Sequence, residues 1–177
     1  LTIKMYFRSS TLMTKSANPF LLNTHDLPRR AGELKEYELD IQTNARIGVP
    51  LIAVPEGDVI EVDVRLESVT EGVLLSADIY AVAMGECIRC LDPIALTLNR
   101  NFQELYAYEP NRDDPDELEE DQLLMDGEVM NLESPIRDAI VLALPINPVC
   151  DEECEGLCPE CGQKWAELPE GHAHEQV

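Results

Sequence analysis

From Tyr37 onward the chain places apolar residues at about every second position. The stretches "YELDIQTN", "VIEVDVRLESV", "VLLSADIYAVAMGECIRC" and "IALTLNRNFQELYAYEP" each do so, with Gly, Pro or Asp breaks between them. A period of two predicts strands. In "VIEVDVRLESV", Ile60, Val62, Val64, Leu66 and Ser68 fall on one side, while Val59, Glu61, Asp63, Arg65 and Glu67 fall on the other. One wet face and one dry face predict an antiparallel sheet covered on a single side.

Past Met130 the period lengthens. Ser134 is a candidate N-cap and Pro135 stands at the first helical position, where its missing N–H is no loss. Ile136, Ile140, Val141 and Leu144 then share one helical face, and Pro145 ends the helix. The expected fold class is α+β: an antiparallel β-sheet covered by a short C-terminal helix. Residues 1–35 mix Pro, Gly, Asn and Arg with a few large apolar residues, which predicts an irregular N-terminal arm with one docking patch, Phe20 to Leu22. Met13 opens a stretch that reads like a natural beginning, and residues 1–12 are expected to be disordered. A single α+β domain is expected over 36–162 and a flexible tail over 163–177, within the size range of one domain.

Charge changes this picture in one place. The formal net charge is -22, yet residues 1–46 hold seven Lys or Arg against five Asp or Glu, so the remaining 131 residues carry -24. Residues 109–128, "EPNRDDPDELEEDQLLMDGE", contribute ten acidic residues and one Arg, and two prolines oppose regular packing; they read as a mobile acidic loop. An acidic body argues against broad nucleic-acid binding, which draws on a basic face, and favours a basic protein partner. The longest apolar candidate for a membrane span, "AIVLALPINPV", is broken by two prolines and is far short of the roughly 18 to 20 residues required. No apolar stretch of secretory type occupies the first dozen residues. The expected protein is soluble and cytoplasmic, without a membrane partner.

In that compartment thiols stay reduced, and clustered cysteines more often hold metal than disulfides. Six cysteines are present: Cys87 and Cys90 in "ECIRCLD", and Cys150, Cys154, Cys158 and Cys161 in "CDEECEGLCPECG". A C-x-x-C turn points two sulfurs at one metal, and two such turns complete a tetrahedron. Pairing "CIRCL" with "CPECG" makes Cys87, Cys90, Cys158 and Cys161 the favoured ligands of a structural zinc. The 67 residues between these knuckles exceed the spacing of a self-contained zinc ribbon, so such an ion would stabilise the whole domain. Cys150 and Cys154, at i and i+4, offer an alternative pair to join Cys87 and Cys90. Four thiolates leave no open position for water, which favours a structural metal over a catalytic one.

Other chemistry is thinner. A redox C-x-x-C normally starts a helix, whose dipole lowers the thiol pKa, and the charges near the motifs, Glu86, Arg89 and Asp92 around the first and Glu155 and Glu160 around the second, do not favour a thiolate. His25 sits in the arm, and His172 and His174 read as solvated tail residues. Trp165 is placed to cover a metal site. No phosphate-cradling loop or nucleophile motif appears, so no catalytic residue and no small-molecule substrate are expected.

The order of "GECIRCLDPI", an acidic stretch and "DAIVLALPINPVCDEECEGLCPECG" resembles the bacterial YceD-like proteins, the large ribosomal RNA subunit accumulation proteins, which plants also have in organelles. The resemblance runs from about Asp26 to Gly162. It is carried by the C-x-R-C-L run at Cys87, Arg89, Cys90 and Leu91, the D-x-I-x-L-x-L-P run from Asp138 to Pro145, and the C-x-x-x-C-x-G-L-C-P-x-C-G run that follows. The arm "LNTHDLPRRAGE" is similar to actinobacterial members. Membership implies a non-enzymatic role in 23S rRNA synthesis, processing or accumulation and in large-subunit assembly. It also implies that some members keep metal-binding residues near Cys150 and Cys154 while lacking the last C-P-x-C-G. The partners then expected are a basic ribosomal protein of the large subunit or the 23S rRNA precursor, with Arg29 and Arg30 as possible RNA contacts. A rival from another class is a thiol oxidoreductase or metallochaperone using the C-x-x-C pairs.

Overall fold

The computed structural model describes residues 18–109 and 122–174. The expectation of disorder for residues 1–12 lies outside them, as does most of the acidic loop. The strands are β1 (Leu21–Asn23), β2 (Leu34–Gln42), β3 (Ile47–Val49), β4 (Ile52–Val54), β5 (Val59–Ser68), β6 (Gly72–Glu86), β7 (Pro93–Ala107) and β8 (Val129–Asn131). The helix α1 spans Glu133–Ala143, and a short 3-10 turn follows at Trp165–Glu167.

One antiparallel sheet of six strands, curled around a single helix, dominates the described residues. Its spine is β6, paired along its length with β7 from Gly72↔Ala107 to Glu86↔Pro93. The opposite edge of β6 is shared: β5 pairs over Val73–Tyr80, and the short β4 pairs at Met84 and Gly85. β2 extends the sheet beyond β5, and β3 extends it beyond β4.

The alternation in sequence becomes burial. Ile60, Val62, Val64 and Leu66 of β5 are enclosed, while Glu61, Asp63 and Arg65 face solvent. The dry side is closed by α1 through Ile136, Ile140 and Leu144, and by Phe20, Leu22, Leu27, Met130 and Leu132. The predicted patch Phe20 to Leu22 therefore has its partner within the chain: Phe20 and Leu22 are buried, and β1 pairs with β8. Tyr106, also enclosed, donates its hydroxyl to the Asn131 carbonyl at 2.6 Å and ties β7 to the strand that leads into the helix.

The helix begins earlier than Ser134. Leu132 occupies the cap position without a side-chain bond, and the Glu133 N–H is instead taken by Asn131 Oδ1 at 3.0 Å. Pro135 still lies in the first turn, where no N–H is needed. Leu144 turns to extended geometry before Pro145, as the proline requires. Of the segment 109–128, residues 109 and 122–128 are described. The Ala107 N–H donates to the Leu123 carbonyl at 2.9 Å and the Met125 N–H to the Ala107 carbonyl at 2.9 Å, so this end of the loop lies against β7.

Candidate metal centre and acidic sheet face

The first C-x-x-C is the tip of the β6–β7 hairpin. The Cys87 N–H donates to the Asp92 carbonyl at 2.8 Å, and the Leu91 N–H donates back to the Cys87 carbonyl at 2.9 Å. Closing this turn puts Leu91 at φ 62, a left-handed conformation that non-glycine residues seldom adopt. The Arg89 N–H points at Cys87 Sγ, 3.4 Å away.

The chain leaving α1 comes back to this tip because the Ile88 N–H donates to the Pro148 carbonyl at 2.9 Å. Asp151 then shapes a turn, its carboxylate accepting the Glu153 N–H at 2.8 Å and its carbonyl the Cys154 N–H at 3.2 Å. Arg89 finishes the join: its guanidinium donates to the carbonyls of Glu152 and Cys154, each at 2.9 Å. Gly156, at φ 81, lies so close to the Arg89 carbonyl that a Cβ there would approach it to 2.9 Å.

The result is a set of four sulfurs, those of Cys87, Cys90, Cys150 and Cys154, all within 4.8 Å of one another. Cys87 and Cys154 are 3.9 Å apart, and Cys90 and Cys150 are 3.6 Å apart. A tetrahedral zinc with Zn–S near 2.3 Å has sulfur–sulfur edges of roughly 3.8 Å, so the donor set fits such an ion. Burial pushes the Cys87 thiol up, but the backbone N–H groups around it, at Cys90, Cys150 and Arg89, outweigh burial and bring it down to about 6. The Asp92 backbone pulls Cys90 down, yet burial and the neighbouring thiols push it up to about 12. Such crowding of thiols around one thiolate is relieved when a cation takes their protons' place. Side-chain charges near the motif do not account for the lowered Cys87 thiol; the backbone amides do.

Cys158 and Cys161 are not brought to this set. Their sulfurs lie with the ring nitrogens of His172 and His174, and these four atoms too are within 4.8 Å of one another. The favoured sequence set of Cys87, Cys90, Cys158 and Cys161 is thus divided between two groups, because Cys150 and Cys154 reach the hairpin tip first and fill its open side. Sequence reasoning left the two histidines in a solvated tail; the signal available was the H-x-H spacing shortly after a C-x-x-C. Trp165 stands edge-on to His172, with ring centroids 5.8 Å apart. Each of the two cysteine-containing groups can hold a metal ion.

In the arm, Arg29 is engaged. Its guanidinium donates to the Gly127 carbonyl at 2.6 Å and stacks over Tyr108, 4.8 Å from the ring centre. Thr24 fastens the same segment, its N–H and its hydroxyl both donating to the Glu128 carbonyl. Arg30 is exposed, and its N–H donates to the Pro28 carbonyl.

The wet face of the sheet is acidic by register. Glu38, Asp63 and Asp78 stand directly opposite one another across β2, β5 and β6, and Asp40 stands opposite Glu61 in the neighbouring row. Arg65, between Glu36 and Ser76, is the basic residue among them. Like charges in direct cross-strand register destabilise a sheet. The face bounds a shallow open groove of about 800 Å³, lined among others by Glu36, Glu38, Asp63, Glu67 and Asp78.

A curled antiparallel sheet with a thiol-bearing hairpin tip, closed by one helix, is the class these features define. The chain belongs to the YceD family: the model described as "Large ribosomal RNA subunit accumulation protein YceD" matches residues 75–177, which include all six cysteines. That description implies involvement in the accumulation of large-subunit ribosomal RNA. Uncharacterized proteins of Mycobacterium bovis and Mycobacterium tuberculosis are each 40% identical over 161 residues, covering 91% of this chain and 77% of theirs. An uncharacterized Mycobacterium leprae protein is 34% identical over 162 residues, covering 90% of this chain and 73% of its own. No solved structure matches. Among the described residues, no helix is long and apolar enough to cross a membrane.

Proposed function

We infer that the protein is a non-enzymatic factor of large-subunit biogenesis in the cytoplasm, supporting 23S rRNA accumulation by holding a basic ribosomal protein on the open acidic face of its sheet. The observation that carries this reading is the row Glu38, Asp63 and Asp78. Three carboxylates in one cross-strand line cost stability, and among the described residues none of the three forms an ion pair, so their use lies with a cationic partner. Family membership supplies the process in which such a partner is met.

In this reading zinc is structural and is held by Cys87, Cys90, Cys150 and Cys154. Its task is to fasten the tip of the longest hairpin to the segment beyond the helix, so that the curl of the sheet is fixed. Precursor rRNA is a further partner at the arm, where the exposed Arg30 is better placed for phosphate than the engaged Arg29. Pull-down of the zinc-loaded chain at moderate salt is expected to recover a basic ribosomal protein. Recovery of RNA alone would overturn the reading.

The depressed Cys87 thiol is the observation that favours a thiol oxidoreductase. Cys87 is fully enclosed, however, and its motif occupies a hairpin turn and not the start of a helix. Turnover of a disulfide substrate by the metal-free protein would support that rival; stoichiometric zinc with no exchange activity would count against it.

A further inference from the structure

We propose that Cys158, Cys161, His172 and His174 form a second metal centre, loaded with its own zinc ion and separable from the four-cysteine one. The inference is independent of the ribosomal reading. It rests on a likeness within the chain itself. At the hairpin tip, the Cys87 N–H donates to the carbonyl five residues on, and the N–H of residue 91 donates back to the Cys87 carbonyl. At the second C-x-x-C, the Cys158 N–H donates to the Gln163 carbonyl at 2.8 Å, and the Gly162 N–H donates back to the Cys158 carbonyl at 2.8 Å. Residue 91 has φ 62 and residue 162 has φ 71. The chain has built the same knuckle twice, once with glycine at the left-handed position and once against the preference of leucine.

A knuckle presents two sulfurs and needs two more donors. The first takes Cys150 and Cys154; the second takes nitrogen. Cys158 Sγ lies 3.3 Å from His174 Nε2, and Cys161 Sγ lies 3.6 Å from His172 Nε2. For Zn–S near 2.3 Å and Zn–N near 2.0–2.1 Å, a tetrahedron has S–N edges of roughly 3.5 Å, which these distances bracket. The two Nε2 atoms are 2.8 Å apart, inside the roughly 3.3 Å edge expected between nitrogens, so the rings separate by about half an ångström on taking an ion. Both rings meet at Nε2, although nothing in a solvated tail would select one nitrogen on each. His174 Nδ1 lies 3.7 Å from the Glu160 carboxylate, beyond hydrogen-bond length but on the side where an outer partner of a ligating imidazole stands.

The second centre has a task of its own. The 3-10 turn Trp165–Glu167 separates Cys161 from the histidines, and this lobe docks on the first knuckle through Gly156 and through Lys164, which pairs with Asp92 at 2.7 Å. An ion here closes residues 158–174 into one unit and holds that pair in register. None of its four residues lies in the sheet, and only Cys158 among them is buried, whereas Cys87 and Cys90 are both buried in the first set, so this ion is the more readily exchanged of the two.

Zinc analysis of the full chain, purified without a histidine tag, is expected to give two ions per chain. His172→Ala with His174→Ala is expected to give one, with the far-ultraviolet circular dichroism of the sheet retained. Cobalt reconstitution supplies a second readout. Wild type would average three Co–S bonds per ion and the double variant four, so charge-transfer absorption per cobalt should rise by about one third. Cys158→Ser with Cys161→Ser should also leave one ion with the four-thiolate spectrum. A single ion in wild type, or two retained in the histidine double variant, or an unchanged absorption per cobalt, would each overturn the proposal.

Discussion

Replacing Asp63 by asparagine should make the protein more stable and a poorer binder. In register, Asp63 has Glu38 on one side and Asp78 on the other. Directly opposed like charges cost about 0.2–1 kcal/mol each, and asparagine removes both repulsions with almost no change in volume. The expected gain is about 0.5–1.5 kcal/mol at low ionic strength. Screening over roughly 8 Å in physiological salt should take away a large part of it. At roughly 2–4 °C per kcal/mol for a domain of this size, Tm should rise by about 1–6 °C in dilute buffer. The assay is thermal and urea unfolding of the zinc-loaded variant at low and high salt, run beside the pull-down of the basic partner. A variant less stable than wild type at both salts would refute the reasoning, since Asp63 would then be holding the sheet and not straining it. A gain indifferent to salt would equally remove charge as its cause.

Other expectations concern the fold and the first metal centre. Arg89→Ala removes both guanidinium bonds to the Cys150–Cys154 turn, and zinc affinity there should fall by about 10–100-fold, read by competition with a chromophoric chelator. Lysine at 89 can reach one carbonyl but not fork across two, so it should recover only part of the loss. Ile140→Ala opens a cavity where the helix meets the sheet and should cost about 2–5 kcal/mol, measured by urea unfolding.

Much of the fold was legible because burial on one face imposes a period of two, and Val59–Ser68 alternates in burial along its length, with apolar Val59 exposed and polar Ser68 enclosed as the departures in residue type. The helix was legible for the same reason, though its start was misplaced: Asn131 reached forward to the Glu133 N–H and displaced Ser134 from the cap. The strand within the arm was not legible, because Leu21–Asn23 has too few residues to show a period and its pairing with Val129–Asn131 is a tertiary event. The candidate metal ligands were legible as residue types but not as a partition. Spacing alone cannot tell which pair reaches the hairpin tip; that is decided by Pro148 docking on Ile88 and by Arg89 gripping the turn behind it. Nor can it show backbone amides aimed at a sulfur, so the lowering of the Cys87 thiol was invisible to an argument from side-chain charges.

The knuckle at the hairpin tip also sets an order of events during synthesis. Cys90 and Cys150 meet across sixty positions of sequence. At about 5–20 residues per second, the two-sulfur half of the site waits some 3–12 seconds for the rest to be made. Over that interval β6 and β7 can already be paired, with their turn formed and two thiols turned outward. The hairpin can thus serve as a template for the later segment, and the contacts of its tip with Pro148 and with the Cys150–Cys154 turn are the last to form.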